Sequence, residues 1–342
     1  MSASLDLGPP NQTPFSLFLT SQFRTPTQWP PEETNLESKV AIVTGSTSGL
    51  GLEASRQLLS YGLSCLIMAV RSRDKGEQVA TTFRTEFPSA EIKVWHLEME
   101  SYDSIQVLAR RAESELHQLD IVILNAGVQS ADFTTIASTG HEKLIQVNYL
   151  STMLLAILLL PVLKDKSVKG QPGRLTVVSS GTARGAVLSD PGAPILASLD
   201  DASRPWKPVE RYAVSKLLGH LFVTNLAVQV NPDDVVINLV DPGLVRDTAL
   251  QNFAPKMVVA LFYVFKAIFG RSLAAGASTY VDAVAVKDRA SHGSFISNWK
   301  ISPFAAFVYT PGEEAASKRL WEETLQEFQF AGVQRILDSL KE

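Results

Sequence analysis

The chain has a single cysteine, Cys65, in 342 residues. An intramolecular disulfide is therefore impossible, and a multi-cysteine zinc site is excluded. Five histidines (His96, His117, His141, His220 and His292) are scattered without the spacing of metal ligands. A basic excess is also missing: 31 Lys and Arg face 35 Asp and Glu, for a formal net charge of −4. A nucleic-acid partner would need cations clustered on one face. No long run of one sign marks a charged tail. The first residues lack a basic stretch followed by an apolar one, the mark of a secretory signal, so a cytoplasmic location is expected. No apolar run reaches the ~20 residues of a membrane span. Met153 to Leu163 covers eleven residues and reads as a buried helix. Met257 to Phe269 covers thirteen, with Lys266 inside it. That second run suits either a hydrophobic lid or a face resting on a membrane surface or on a second subunit of a homodimer.

What is present is a globular composition, 45% hydrophobic and 19% charged, with material for a sizeable core. Residues 1–37 are rich in Pro, Thr, Ser and Gln and read as a partly irregular extension over the surface, with a helical turn or two around Phe15 to Phe23. From Lys39 on, short apolar runs alternate with amphipathic stretches. The runs are Val40–Thr44, Cys65–Val70, Ile92–Leu97, Ile121–Leu124, Leu175–Val178, Val235–Val240 and Ser294–Ile296. Buried strands separated by helices imply an α/β fold, a doubly wound parallel sheet forming one domain over residues 38–342. Asp190 to Pro208 holds four prolines and reads as a loop. His141 and Glu142 read as the exposed start of a long helix, and Asp74 as a helix N-cap.

The first strand runs straight into Thr44-Gly45-Ser46-Thr47-Ser48-Gly49-Leu50-Gly51, and a helix follows from Leu52. Gly45 permits the sharp turn, and Gly49 and Gly51 allow close approach. The helix N-terminus then offers free N–H groups and its positive dipole end to a pyrophosphate. Glycine triads are common in loops, but this one stands first in the alternation, between strand and helix, so dinucleotide binding is expected. After the second strand an NAD site usually carries an acid for the ribose 2′-OH. Here Arg71-Ser72-Arg73 stands instead, and arginine suits the 2′-phosphate of NADP(H). Tyr212 and Lys216 are four apart in the amphipathic stretch Val209 to Val230, on one helical face. A lysine cation at about 4 Å contributes roughly 4 kcal/mol at an effective dielectric near 20. That is about three pKa units, enough to bring a tyrosine toward neutrality, where a proton donor is most useful.

With these features in place, residues 38 to 300 resemble the short-chain dehydrogenase/reductase family. Thr44 to Gly51 resembles its TGxxxGxG turn, with Gly45, Ser48, Gly49, Leu50 and Gly51 against the cofactor. Leu124-Asn125-Ala126-Gly127 resembles its NNAG motif with Leu in the first place. Asn148 matches its catalytic asparagine, and Ser180, Tyr212 and Lys216 its Ser, Tyr and Lys. Asp241-Pro242-Gly243 matches the turn that receives nicotinamide, followed by Val245 and, one place late, Thr248. Glu98 takes the adenine-contact position, where the family usually has Asp. The whole chain is similar to reductases of fungal natural-product pathways and to retinol-dehydrogenase-like members. Ser180 and Tyr212 are 32 residues apart, far more than the family's usual spacing. Either 186–207 is an insertion, or Ser198 replaces Ser180; a strand end holds a hydroxyl more rigidly than a Pro-rich loop, which favours Ser180.

The resemblance implies reversible hydride transfer between NADP(H) and a ketone or secondary alcohol. Tyr212 would donate the proton, Ser180 would bind the carbonyl oxygen, Lys216 would hold the nicotinamide ribose, and Asn148 would hold a relay water. An apolar lid over Leu244 to Ser272 implies a lipophilic small-molecule substrate. The rivals are a redox-neutral enzyme on the same fold, such as an isomerase, dehydratase or cyclase, and a non-catalytic NADP sensor.

Overall fold

The computed structural model describes residues 2–188, 192–246 and 265–341. All seven apolar runs form strands: β1 (Val40–Thr44), β2 (Cys65–Val70), β3 (Glu91–His96), β4 (Ile121–Leu124), β5 (Gly173–Val178), β6 (Val235–Asp241) and β7 (Ser294–Ser297). They build one sheet in the order β3-β2-β1-β4-β5-β6-β7, parallel throughout, and an eighth strand, β8 (Lys300–Ser302), closes the edge antiparallel to β7.

The seven principal helices are α1 (Gly49–Ser60), α2 (Arg73–Glu86), α3 (Tyr102–Glu115), α4 (Thr152–Lys166), α5 (Pro208–Val228), α6 (Leu273–Val281) and α7 (Glu313–Glu327). The central strands β1, β2 and β4 are apolar almost throughout because both faces are covered, whereas the edge strand β3 mixes in Glu91, Lys93 and His96. Ile42 and Ile67 point into a core shared with Leu108, Leu154 and Leu217 of α3, α4 and α5. Their neighbours Ala41, Val43, Leu66 and Met68 point the other way, against Leu58 of α1, Phe83 of α2 and Tyr280 of α6. Strand order reverses between β1 and β4, which opens a crevice at their carboxyl ends.

β8 escaped the sequence reading because it is three residues long and follows an unusual turn. Asn298 and Trp299 both take left-handed backbone, with φ of 56° and 57°. Such a two-residue turn matches the twist of a hairpin, but it costs a non-glycine residue energy. Tertiary contacts hold Trp299 there: its Nε1 donates to Ser278 Oγ at 3.1 Å, and the Arg271 guanidinium lies 4.7 Å above its ring.

In residues 2–37 the helical turns expected around Phe15 to Phe23 are present, and the segment is also tied to the sheet. Ser4 Oγ accepts from the Phe295 amide of β7 at 2.9 Å, a short helix spans Pro14–Leu19, and a π-helical turn covers Thr20–Arg24. The segment 190–208, read as a loop, contains a helix, Ile195–Asp200. That helix also corrects the reading of His141 and Glu142 as exposed. His141 Nδ1 lies 2.7 Å from Asp200 Oδ2, and the Glu142 amide donates to Asp200 Oδ1 at 2.7 Å. His141 Nε2 lies 3.2 Å from Glu327 Oε1 of α7, and His141 and Glu142 are both buried. The covering chain comes from far along the sequence, so no local pattern signals it. At α2 the N-cap is Ser72, whose side chain accepts from the Lys75 amide, and Asp74 sits in the first turn.

Met153 to Leu163 lies in α4, as expected of a buried helix. Among the described residues, Lys143–Lys166 is the one helical stretch long and apolar enough to cross a membrane, and it is mostly buried inside the fold.

Candidate active site

A cleft of about 820 Å³ opens at the carboxyl ends of the strands. Its floor is the turn between β1 and α1. Gly45 and Gly49 have φ of 66° and 57°, which only glycine adopts without strain. A methyl group on Gly51 would lie 2.4 Å from Asn125 Nδ2 and 2.5 Å from Gly45 O, so the helix can approach β4 only with glycine there. A side chain on Gly49 would meet nothing within 4 Å, so that side faces open space. Ser48 starts α1 without a side-chain cap, which leaves the helix N-terminus uncapped at the cleft. The turn is pinned to the next strand: Thr44 Oγ1 accepts from the amides of Asn125 and Ala126, both at 2.9 Å. Asn125 Nδ2 returns a bond to Thr44 O at 2.9 Å, and its Oδ1 accepts from Tyr280 OH at 3.2 Å.

The end of the cleft beside β2 is lined by Arg71, Ser72, Lys75 and Glu98. Arg71 is largely exposed, with Nε 4.0 Å from Glu98 Oε2. Lys75 is a second cation there that sequence reasoning missed, whereas Arg73 is not among the lining residues.

At the other end, Ser180, Tyr212 and Lys216 line the same cleft. β5 delivers Ser180, which starts the 3₁₀ turn Gly181–Gly185; its Oγ accepts from Thr182 Oγ1 at 3.0 Å. α5 delivers Tyr212 and Lys216 from successive turns. Ser180 hydrogen-bonds the Tyr212 side chain. Lys216 Nζ donates to Val178 O at 2.8 Å and lies 5.8 Å from the centre of the Tyr212 ring. Asn148 sits on the π-helical turn Gln146–Ser151, just ahead of α4. Its amide is fully engaged: Oδ1 accepts from the Val128 amide at 2.8 Å, and Nδ2 donates to Val128 O at 2.9 Å and Ser215 Oγ at 3.1 Å. Ser198 lies elsewhere, in a separate groove with Leu188, Ile195 and Arg204.

One electrostatic expectation is corrected. Burial pushes the Tyr212 hydroxyl up to about 12, against the lowering effect of its Ser180 hydrogen bond. Burial likewise pulls Lys216 down to about 8. Desolvation of the buried phenolate is the larger effect and leaves the hydroxyl protonated.

The turn after β6 lines the cleft through Asp241, Pro242, Gly243, Leu244 and Val245. Sequence reasoning missed what backs it. Arg271 donates to Pro242 O at 3.3 Å and Ser21 O at 2.8 Å, tying the N-terminal segment to this turn. The Gln22 amide, with its oxygen on the Leu244 amide at 3.0 Å, also reaches Leu244 O and Phe269 O. Pro14, Phe18, Ser21 and Gln22 consequently line the cleft, with Phe18 stacked on Phe265 at 6.0 Å. Nothing local in residues 1–37 announces this role. Thr248, and most of the apolar run Met257 to Phe269, lie outside the described residues.

The family model for short chain dehydrogenases matches residues 39–190. A short chain dehydrogenase/reductase of Annulohypoxylon moriforme is 48% identical over 336 residues, covering 97% of both chains. A short chain dehydrogenase of Hypocrea virens is 43% identical over 327 residues, 95% of this chain and 94% of its own.

The chain belongs to the short-chain dehydrogenase family.

This dehydrogenase is accordingly an oxidoreductase of a family that uses a nicotinamide dinucleotide. Its fold is shared with a solved short chain dehydrogenase of Shigella flexneri complexed with NADP. That likeness has a TM-score of 0.59 at 22% identity, over 79% of this chain and all of the other.

Proposed function

We propose that this dehydrogenase is an NADP(H)-dependent reductase, acting in the cytoplasm on the carbonyl of a lipophilic small molecule of the kind made in fungal natural-product pathways. The observation that carries the reading is the convergence of Ser180, Tyr212 and Lys216 on one cleft with the glycine turn. The relatives at 48% and 43% identity are both fungal.

The residues present fit the cofactor. The open side of Gly49 and the uncapped start of α1 suit a pyrophosphate. Ser48, Leu50, Asn125, Ala126, Gly127 and Val245 line its path, and Arg71 with Lys75 supplies cations for a 2′-phosphate. When bound, the dihydronicotinamide supplies the hydride. Ser180 Oγ donates a hydrogen bond to the carbonyl oxygen and holds it beside the tyrosine. Tyr212 gives that oxygen its proton, and its raised pKa keeps the hydroxyl protonated at neutral pH, as a donor requires. Lys216, held by Val178 O, is placed to steady the ribose and recharge the tyrosine. Asn148 fixes the loop that carries Val128, and through Ser215 the carbonyl of Tyr212 itself. Phe265 and Phe269, whose rings pack at 4.5 Å, belong to the apolar run we take as the cover of the substrate.

The test is consumption of NADPH, followed at the reduced-nicotinamide absorbance band, with a panel of lipophilic ketones. Turnover with NADPH supports the reductase. Product change without NADPH loss would show a redox-neutral enzyme, and cofactor binding without any product would show a sensor.

A further inference from the structure

The 3₁₀ turn that begins at Ser180 carries a second polar group into the cleft, Arg184. Its side chain is buried, 8% exposed, and its Nε has no hydrogen-bond partner. Among the described residues no carboxylate forms an ion pair with it. The guanidinium lies 5.3 Å from the centre of the Phe295 ring. The nearest acid, Asp241, is committed elsewhere, accepting from the Gly243 amide at 2.9 Å and from Ser297 Oγ at 3.1 Å.

Among the described residues, the buried charge around Arg184 is mostly positive. Lys216 and Arg271 are also buried, and the acceptors they reach, Val178 O, Pro242 O, Ser21 and Asn298, are neutral. His220, beside Arg184, contributes no charge: burial and the neighbouring cations push it down to about 3. Among the described residues, Arg184, Lys216, Lys266 and Arg271 are buried cations lining or backing this part of the cleft, and Asp241 is the buried carboxylate among them. A buried cation without a hydrogen-bonded partner is strongly destabilising, and arginine stays charged.

Resting on the reductase reading above, we infer that Arg184 is the anchor for an anionic oxygen of the substrate, a carboxylate or a phenolate. The substrate is then lipophilic in its body and singly anionic at one end. The guanidinium fork matches such a group with paired donors. Phe18 and Pro14 of the N-terminal segment form the apolar wall beside it, with Pro14 Cγ within 3.7 Å of a methyl built on Gly185. Arg184 and Ser180 belong to one rigid turn, so the anion and the reacting carbonyl are held at a fixed separation.

The experiment uses an acetylnaphthoic acid and its methyl ester, each titrated calorimetrically into the full chain saturated with NADP⁺. The expected result is at least about tenfold tighter binding of the acid, since hydrogen bonds to charged groups are the strong ones. Arg184→Met should abolish that preference and Arg184→Lys should keep part of it. Equal affinities for acid and ester in the native protein would overturn the inference, as would an acid preference that survives Arg184→Met. An Arg184→Met variant that loses NADP⁺ binding would assign the residue to the cofactor and overturn it too. NADPH consumption by either ketone is read separately, so failure of the reductase reading shows independently of failure of the anchor.

Discussion

In the proposed reaction single residues carry most of the chemistry, and most of the candidates the cleft brings together are legible in the sequence. Tyr212 and Lys216 announce themselves by a four-residue spacing, and Ser180 by its place at a strand end. What the spacing could not show was the field around them. Tyr212 is buried, and desolvation outweighs its Ser180 hydrogen bond, so burial decides its pKa. The Tyr212→Phe variant keeps the ring and loses only the hydroxyl. Reductive turnover should fall by about 10² to 10⁴-fold while NADPH binding, read by fluorescence, stays near native. Turnover within a few-fold of native would move the proton donor elsewhere. At the opposite end of the cleft, Arg71 and Lys75 stand where an acid would select NADH. Arg71→Asp should lower the ratio of NADPH to NADH affinity by about tenfold or more, because a bidentate charge pair is replaced by repulsion. Equal affinities for the two cofactors in the native protein would contradict the NADP(H) preference. Arg184, by contrast, was invisible beforehand, because an arginine in a loop signals nothing until its burial is known.

At the scale of elements, the seven parallel strands were read within about two residues because each carries a short apolar run, while contacts between distant elements were not. The His141 cluster is the clearest case. It joins the start of the long helical stretch Lys143–Lys166 to the helix Ile195–Asp200 and to α7, across 59 residues in one direction and most of the C-terminal half in the other. Burial alone would lower the His141 pKa. The hydrogen bonds and charges of Asp200 and Glu327 outweigh it and carry the imidazole up to about 9. A group raised in the folded state stabilises fully below its unfolded pKa, near 6.5, and loses that contribution as pH climbs through the folded value. His141 should therefore support the fold at pH 6 and fail to do so by pH 9.5, with a difference of at most about 3 kcal/mol. Urea unfolding of the native protein and of His141→Gln at the two pH values measures it. The gap between the proteins should be wide at pH 6 and narrow at pH 9.5. A gap that widens with pH would mean that the imidazole is neutral in the folded protein.

For the molecule as a whole, the doubly wound architecture followed from alternation alone, whereas the integration of residues 2–37 did not. Their composition looks like that of an irregular extension, because the interactions that order them are made with chain some 250 to 300 residues away. Ser4 bonds Phe295 of β7 and, through its carbonyl, the Tyr309 hydroxyl at 2.6 Å. Ser21 Oγ donates to Asn298 Oδ1 at 2.6 Å and accepts from Arg271 at 3.1 Å. Gln28 O accepts from Ser278 Oγ at 3.2 Å, and Leu36 is buried in the core beside β1. The segment is therefore part of the same cooperative unit as the sheet. Removing residues 2–24 would leave the buried Arg271 guanidinium short of both Ser21 acceptors and uncover β7. The expected loss is about 3 kcal/mol or more, since an orphaned buried cation retains its full desolvation cost. The milder Ser21→Ala should cost about 1 kcal/mol through the hydroxyl alone. Urea midpoints check both, with a single transition expected in each protein. An unchanged midpoint after removal of residues 2–24 would show that the segment lies on the fold without supporting it, and a separate early transition in the intact chain would show that it unfolds on its own.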